Sequence, residues 1–299
     1  MQDTNTTVDM ALRHSLAGFC AAHSELVVAG ENMQFIARRK LVPGKPGLVS
    51  GGGSGLEPMH IGFVGHGMLD AACPGPVFAA PTPEQVLAAI HAVETGGGTL
   101  LIVPNFAADV DSFGAGGALA QGDVETVIVD DGVAPAKFIE PAQSRCVGGI
   151  AIVEKIVGAA AERGMALADL AALGHRVNAR TRSLGASLQG AAGQAANVQD
   201  IVALTVKTLL ASLPLASNQP CLMLVNGFGG TPLMQLYLCS HFARRSLHAQ
   251  RIDIVRSLVG SYGTSRDRTG FSLTLCALDA QMHELWAAPV ATPAWRWGM

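Results

Sequence analysis

The sequence predicts an α/β protein of two domains, each a mostly parallel or mixed sheet covered by helices. Three observations carry that prediction. Thr99-Leu100-Leu101-Ile102-Val103 and Thr126-Val127-Ile128-Val129 are apolar runs of strand length without alternation, the pattern of strands covered on both faces as in a parallel sheet. Helical patterns stand between the strand-like runs, and such alternation marks the α/β class. The chain of 299 residues is also longer than one ordinary domain needs.

The elements follow in order. Val8, Leu12, Leu16 and Phe19 stand at helical spacing and predict an opening helix over 8–21. Gly47-Leu48-Val49-Ser50 reads as a short buried strand that runs into a glycine turn, Gly51-Gly52-Gly53-Ser54-Gly55. Thr82-Pro83-Glu84-Gln85 predicts a helix start in which Thr82 caps, Pro83 takes the first helical position and Gln85 completes a capping box. That helix runs through Val86, Ile90 and Val93 and stops at Gly96-Gly97-Gly98. After the two apolar strands come helices over 148–163, ended by Gly164, and 166–179. Gly185 to Asn197 is nearly all Gly, Ala, Gln and Ser, a candidate linker or loop. The domain boundary is therefore placed near residue 180, giving domains 1–180 and 181–299. A helix over 199–212, a strand at Leu222–Val225, the loop Asn226-Gly227-Phe228-Gly229-Gly230 and a helix start at Thr231-Pro232 follow. Ile252–Leu258 and Phe271–Leu278 supply further strands.

Composition narrows the function classes. Apolar residues are 49% and charged residues 14%, so the chain can bury a large core and is neither disordered nor fibrous. The low charge points to surface covered by another subunit. A net charge of −3 with no basic block provides no footprint for nucleic acid. No basic residue precedes Arg13, which argues against a signal peptide, and Glu154 and Lys155 interrupt the best apolar run, which argues against a membrane span. A cytoplasmic location is expected. Six scattered cysteines, Cys20, Cys73, Cys146, Cys221, Cys239 and Cys276, suit reduced core thiols rather than disulfides or a zinc site.

The glycine turn can bring bare backbone N–H groups to an oxygen-rich ligand, or simply let strand and helix pack closely. It is not a P-loop, having no Gly-Lys-Ser/Thr ending, and it does not give the dinucleotide pattern, because position 56 is Leu. Asp109 lies just past the strand end at Val103, where open α/β sheets bind ligands; it can accept substrate hydroxyls, or cap a helix. For His60 and His66 structural hydrogen bonding is favoured, Asp130-Asp131 fits the capping of a neighbouring turn, and Trp286, Trp295 and Trp297 fit packing anchors.

Longer motifs carry a family resemblance. Ser50-Gly-Gly-Gly-Ser-Gly55, Glu57-Pro58-Met59-His60 and Gly65-x-Gly67-Met68 resemble the start of the substrate-binding subunit of dihydroxyacetone kinase. So do Pro81-Thr82-Pro83, Asn105…Asp109…Phe113, Val129-Asp130-Asp131 and Val153-Glu154-Lys155 through Gly164. Val225-Asn226…Gly230-Thr231-Pro232, Thr264-Ser265…Thr269-Gly270-Phe271-Ser272 and Leu285-Trp286…Pro289-Val290…Thr292-Pro293 extend the similarity to nearly the whole chain. The resemblance implies a two-domain homodimer that binds a short ketose or polyol. It implies that Gly52, Gly53, Ser54 and Gly55 bind ligand hydroxyls and that Asp109 serves both binding and catalysis. It also implies that this chain binds no cofactor of its own, the phosphoryl donor (ATP with Mg, or a phosphoprotein) belonging to a partner subunit.

Three departures fall on the chemistry. The family's glycine loop ends with an acid–base histidine where this chain has Leu56, and a lysine is usual where it has Pro104. The histidine that anchors the substrate as a hemiaminal lies, in the family, in a Gly-x-His-Gly-Glu-Pro-Gly segment. This chain has no such segment, several dozen residues are missing between 185–197 and 222–225, and His175, His241 and His248 stand in other contexts. The expected function is ketose binding with weak or no catalysis, as a regulator, sensor or assembly subunit. The alternative is an active kinase subunit working with a separate phosphoryl donor.

Overall fold

A computed structural model describes residues 4–133, 148–188, 197–213, 215–264 and 269–299. The chain forms two units. The first takes residues 1–129, 153–175 and 285–299, and the second takes 130–152 and 176–284.

The first unit begins with α1 (Thr4–Ala22), β1 (Val27–Ala29), β2 (Ile36–Arg38), β3 (Gly47–Ser54) and β4 (Ala71–Val77). It continues with α2 (Pro83–Val93), β5 (Thr99–Pro104), α3 (Ala107–Leu119) and β6 (Val124–Val129). Its sheet has the order β1-β2-β4-β3-β5-β6, parallel across β4-β3-β5-β6 and antiparallel at β1-β2 and β2-β4. Val49, Ala71, Leu101, Val103, Val86, Ile90 and Phe113 form the core between this sheet and α2 and α3. The capping box expected at Thr82 is present: Thr82 Oγ1 accepts from Gln85 N, and Gln85 Oε1 accepts from Thr82 N at 2.9 Å.

Helices α4 (Gly148–Glu162) and α5 (Leu167–Ala179) each contain a residue at which the chain passes from one unit to the other. The second unit holds β7 (Thr181–Ser187), α6 (Val198–Ser212), β8 (Pro220–Gly227), α7 (Leu233–Ala249), β9 (Asp253–Gly260) and β10 (Gly270–Ala277). Its sheet runs β7-β10-β8-β9, with only β8 and β9 parallel. Helix α8 (Ala280–Ala287) then returns the chain to the first unit, where β11 (Val290–Ala291) and β12 (Arg296–Trp297) pair. Trp286, Trp295 and Trp297 cluster there, with ring centroids 5.5 to 5.9 Å apart, and Trp295 packs on Phe63 at 5.0 Å. They are the anchors the sequence suggests.

The fold class stands as expected, and several local expectations change. Gly51 to Ser54 is strand, not turn, because β3 keeps its parallel pairing with β4 through Gly53. β6 is an edge strand with Glu125, Thr126 and Ile128 exposed, so its apolar run is covered on one face only. The first three residues of the proposed linker, 185–187, are the end of β7, which pairs along its length with β10; residues 189–196, Ser265 and Cys146 lie outside the described residues. Thr231 does not cap α7: its Oγ1 donates to Gly270 O at 2.6 Å and accepts from Gly270 N at 2.7 Å. A single cut near residue 180 also differs from the two units, between which the chain crosses at 129/130, at the end of β6, and inside helices at 152/153, 175/176 and 284/285. A continuous apolar helix carries no compositional mark of such a crossing.

Candidate functional site

The site is built on β3. A Cβ at Gly51 would lie 2.4 Å from Cys73 O, and one at Gly53 would lie 2.7 Å from Ala79 N. These two glycines are required by neighbouring backbone. Gly52 is different. A Cβ there would stand 3.7 Å from His60 Nε2 and 3.9 Å from Asp109 Oδ1, in ordinary contact with both. Gly52 therefore leaves open the space that these two side chains face.

Asp109 enters from the first turn of α3, where a carboxylate is favoured by the helix dipole. It is buried, and its Oδ1 has no hydrogen-bond partner among the described residues. Burial pushes its carboxyl up to about 6 against a smaller opposing pull from His60. A buried acceptor without a donor is costly unless something supplies one.

His60 is buried too. Its Nδ1 lies 2.6 Å from Glu154 Oε1 on α4 and 3.1 Å from Ser50 Oγ on β3. Ser50 spends its hydroxyl proton on Ile102 O at 2.7 Å, so towards Nδ1 it can only accept. The carboxylate of Glu154 also accepts. Nδ1 is therefore the protonated nitrogen, and Nε2 is left facing Gly52 and Asp109. Glu154 Oε2 is a second buried oxygen without a partner among the described residues.

Of the residues picked from the sequence, the structure brings Gly52 and Asp109 together, with Gly53 beside them. Ser54 Oγ donates to Gly75 O at 2.7 Å, and Gly55 N–H donates to both carboxylate oxygens of Glu57 at 3.0 Å. Leu56 is half-buried, Pro104 ends β5 in a buried position, and His175, His241 and His248 are exposed on helices. His66 pairs with Glu162 at 3.1 Å. Asp131 caps the start of α4, accepting from Gly149 N at 2.8 Å, and binds Ser183 Oγ.

Glu154 and Lys155 were not picked as site residues. The signal was present: two charges inside an apolar helix that is covered all round must be partnered. Lys155 Nζ donates to Leu285 O at 3.0 Å and lies over the Trp297 ring, and burial lowers its ammonium to about 8. Nothing in the sequence marks Glu154 as the partner of His60, because 94 residues separate them.

The Dak1 domain profile matches residues 17–197 and 190–294. The chain belongs to the Dak1 family. This Dak1 chain is 36% identical, over 96% of its length and 98% of the relative's, to the dihydroxyacetone-binding subunit DhaK of a PTS-dependent dihydroxyacetone kinase of Listeria innocua. It is 34% identical, over 97% of its length and 98% of the relative's, to the DhaK subunit of the PEP-dependent kinase of Escherichia coli. Among solved structures it superposes on the dihydroxyacetone kinase operon co-activator DhaQ with a TM-score of 0.87 and 26% identity, covering 95% of this chain and 98% of that one. The Listeria alignment runs 321 positions while covering 96% of 299 residues, so this Dak1 chain carries gaps opposite its relative. The two profile matches meet at 190–197, beside the place where the sequence lacks a segment. Among the described residues no helix is long and apolar enough to cross a membrane.

Proposed function

We propose that this Dak1 chain binds a short, unphosphorylated ketose or polyol between β3 and α3, and that it does so as a regulator, sensor or assembly subunit rather than as an efficient kinase. One observation carries the binding half: the buried, partnerless Oδ1 of Asp109 facing the gap left by Gly52. A ligand hydroxyl supplies the missing donor. Gly53, Ser54 and Gly55 shape the rim of the site, and Asp109 is its main contact.

Leu56 and Pro104 support the non-catalytic half, since neither moves a proton where the family resemblance expects a histidine and a lysine. General acid–base assistance is worth roughly 10² to 10⁴ in rate. The absent hemiaminal segment and the similarity to a co-activator point the same way. On this reading the chain is a cytoplasmic homodimer that holds no cofactor, and any phosphoryl donor sits on a partner subunit. A second reading, an active kinase subunit, is favoured by Asp109 itself, whose carboxyl at about 6 suits a base near neutral pH.

Calorimetric titration with dihydroxyacetone, glyceraldehyde and erythrulose tests the proposal. Saturable heat that Asp109→Ala abolishes is the expected result, and no heat with any of the three overturns it. Addition of the phosphoryl-donor subunits of a relative then separates the two readings: turnover supports the kinase, binding without turnover the regulator.

A further inference from the structure

Resting on the ligand-binding reading above, we infer that His60, held by Glu154, is a second ligand-reading group of this site, and that His60 Nε2 and Asp109 Oδ1 together select ligands carrying two hydroxyl donors. Both atoms lie within 4 Å of one point, the position a Cβ on Gly52 would take. Neither has a hydrogen-bond partner among the described residues. The proton on Nδ1 is fixed by two acceptors, Glu154 Oε1 at 2.6 Å and Ser50 Oγ at 3.1 Å. The pair reads ligands with the ring neutral, the state in which His60 exerts no cationic pull on Asp109: Nε2 is then a bare acceptor, set by its neighbours in the way an outer partner sets the tautomer of a metal-binding or catalytic histidine.

Two acceptors side by side make a definite chemical filter. One hydroxyl has one proton and satisfies one of them. A ligand with two hydroxyls satisfies both, whereas a carbonyl, an ether or a phosphate monoester offers neither acceptor a proton and sets further lone pairs or charge against a carboxylate. The filter therefore favours dihydroxyacetone over hydroxyacetone, which has the same carbon chain and one hydroxyl fewer. It also disfavours phosphorylated trioses. Glu154 touches no ligand in this arrangement and acts as a positioning residue through His60.

The test titrates the full chain with dihydroxyacetone and with hydroxyacetone while the ring nitrogens are followed by ¹⁵N NMR, the His60 signals being identified by their loss in His60→Gln. Dihydroxyacetone should bind about tenfold or more tightly than hydroxyacetone, the worth of one hydrogen bond to a buried acceptor. Its binding should shift the His60 Nε2 resonance and leave Nδ1 in place. Glu154→Leu, which keeps the bulk and removes the acceptor, should shrink the preference for dihydroxyacetone. Glu154→Gln, which keeps an acceptor for Nδ1–H, should restore it. Packing alone would not distinguish these two variants. Heat on binding with an unmoved Nε2 resonance, or equal affinity for the two ketones in the wild-type chain, overturns the inference and leaves ligand binding standing. Those two measurements need no variant of Glu154 to fold. No heat with either ketone overturns both.

Discussion

Gly51 and Gly52 are adjacent and serve different ends, which substitution separates. Gly51→Ala drives a methyl to 2.4 Å from Cys73 O, a backbone atom that β4 cannot withdraw without breaking its pairing with β3. It should cost about 2–3 kcal/mol of stability, read from urea denaturation. Gly52→Ala meets only ordinary contacts at 3.7 and 3.9 Å. It should fold with stability close to the wild type yet lose ketose binding, since the methyl fills the ligand's place. Asp109 makes a second residue-scale prediction, through pH. Its carboxyl is raised from an ordinary value of 3.8 to about 6, so the native chain holds the proton more firmly than the unfolded chain. Below about pH 4 both states are protonated and burial costs nothing extra; as pH rises through about 6 the buried group must ionise and stability is lost. Asp109→Asn should therefore be more stable than the wild type by about 2–3 kcal/mol near neutral pH, and the difference should vanish towards pH 4. Equal differences at both pH values would show that the carboxyl is not ionised at a cost in the fold. Legibility at this scale was uneven. Asp109 stood out because it follows a strand end, whereas His60 looked merely structural. Its Nδ1 does make structural bonds; the free Nε2 depends on where Glu154, 94 residues on, comes to rest.

At the scale of elements, two Thr-Pro pairs that look alike in sequence do different work. Thr82→Ala removes half of a capping box and should destabilise the chain by about 1 kcal/mol, with the loss confined to α2. Thr231→Ala should cost about as much by another route: it leaves the N–H of Gly270 without its hydroxyl acceptor at the start of β10 and removes one of the two donors to Gly270 O, the Phe228 N–H being the other. Hydrogen exchange distinguishes them, protection being lost at the first turn of α2 in one variant and at Gly270 in the other. The capping box was readable because all its parts lie within four residues. Thr231 was misread because its partner lies 39 residues away. The same logic explains α3 and β4. The first has Gly114, Gly116 and Gly117 inside it, and Gly116 is needed because a Cβ would meet Pro83 O at 2.8 Å. The second contains Pro74 and Pro76, tolerated because β2 pairs only with Ala71 and Ala72 and leaves the rest of that edge free. Both elements break local propensity for reasons that only the assembled sheet supplies. The parallel core strand β5 needed no such context and was plain from its apolar run.

For the molecule as a whole, the decisive fact is that the first unit is closed by the last fifteen residues of the chain. Ala291 N donates to His66 O at 3.0 Å and Ala294 N to Gly62 O at 2.9 Å, while Gly65 and Gly67 admit the backbone of residues 289–291 at distances no side chain would allow. A fragment of residues 1–180 loses this strap, uncovers Phe63 and Trp-facing surface, and retains residues 130–152, which belong to the second unit. It should give a poorly dispersed amide NMR spectrum, whereas the full chain should be well dispersed; a folded fragment would show that the strap is dispensable. The indole cluster in that strap has one more consequence. All three tryptophans of the chain lie in the first unit, and both tyrosines, Tyr237 and Tyr262, lie in the second. Nature has thus given each half its own chromophore. Emission excited at the red edge of the indole band follows the unfolding of the first unit alone, and the phenol signal follows the other, so the order in which the halves melt can be watched without attaching any dye.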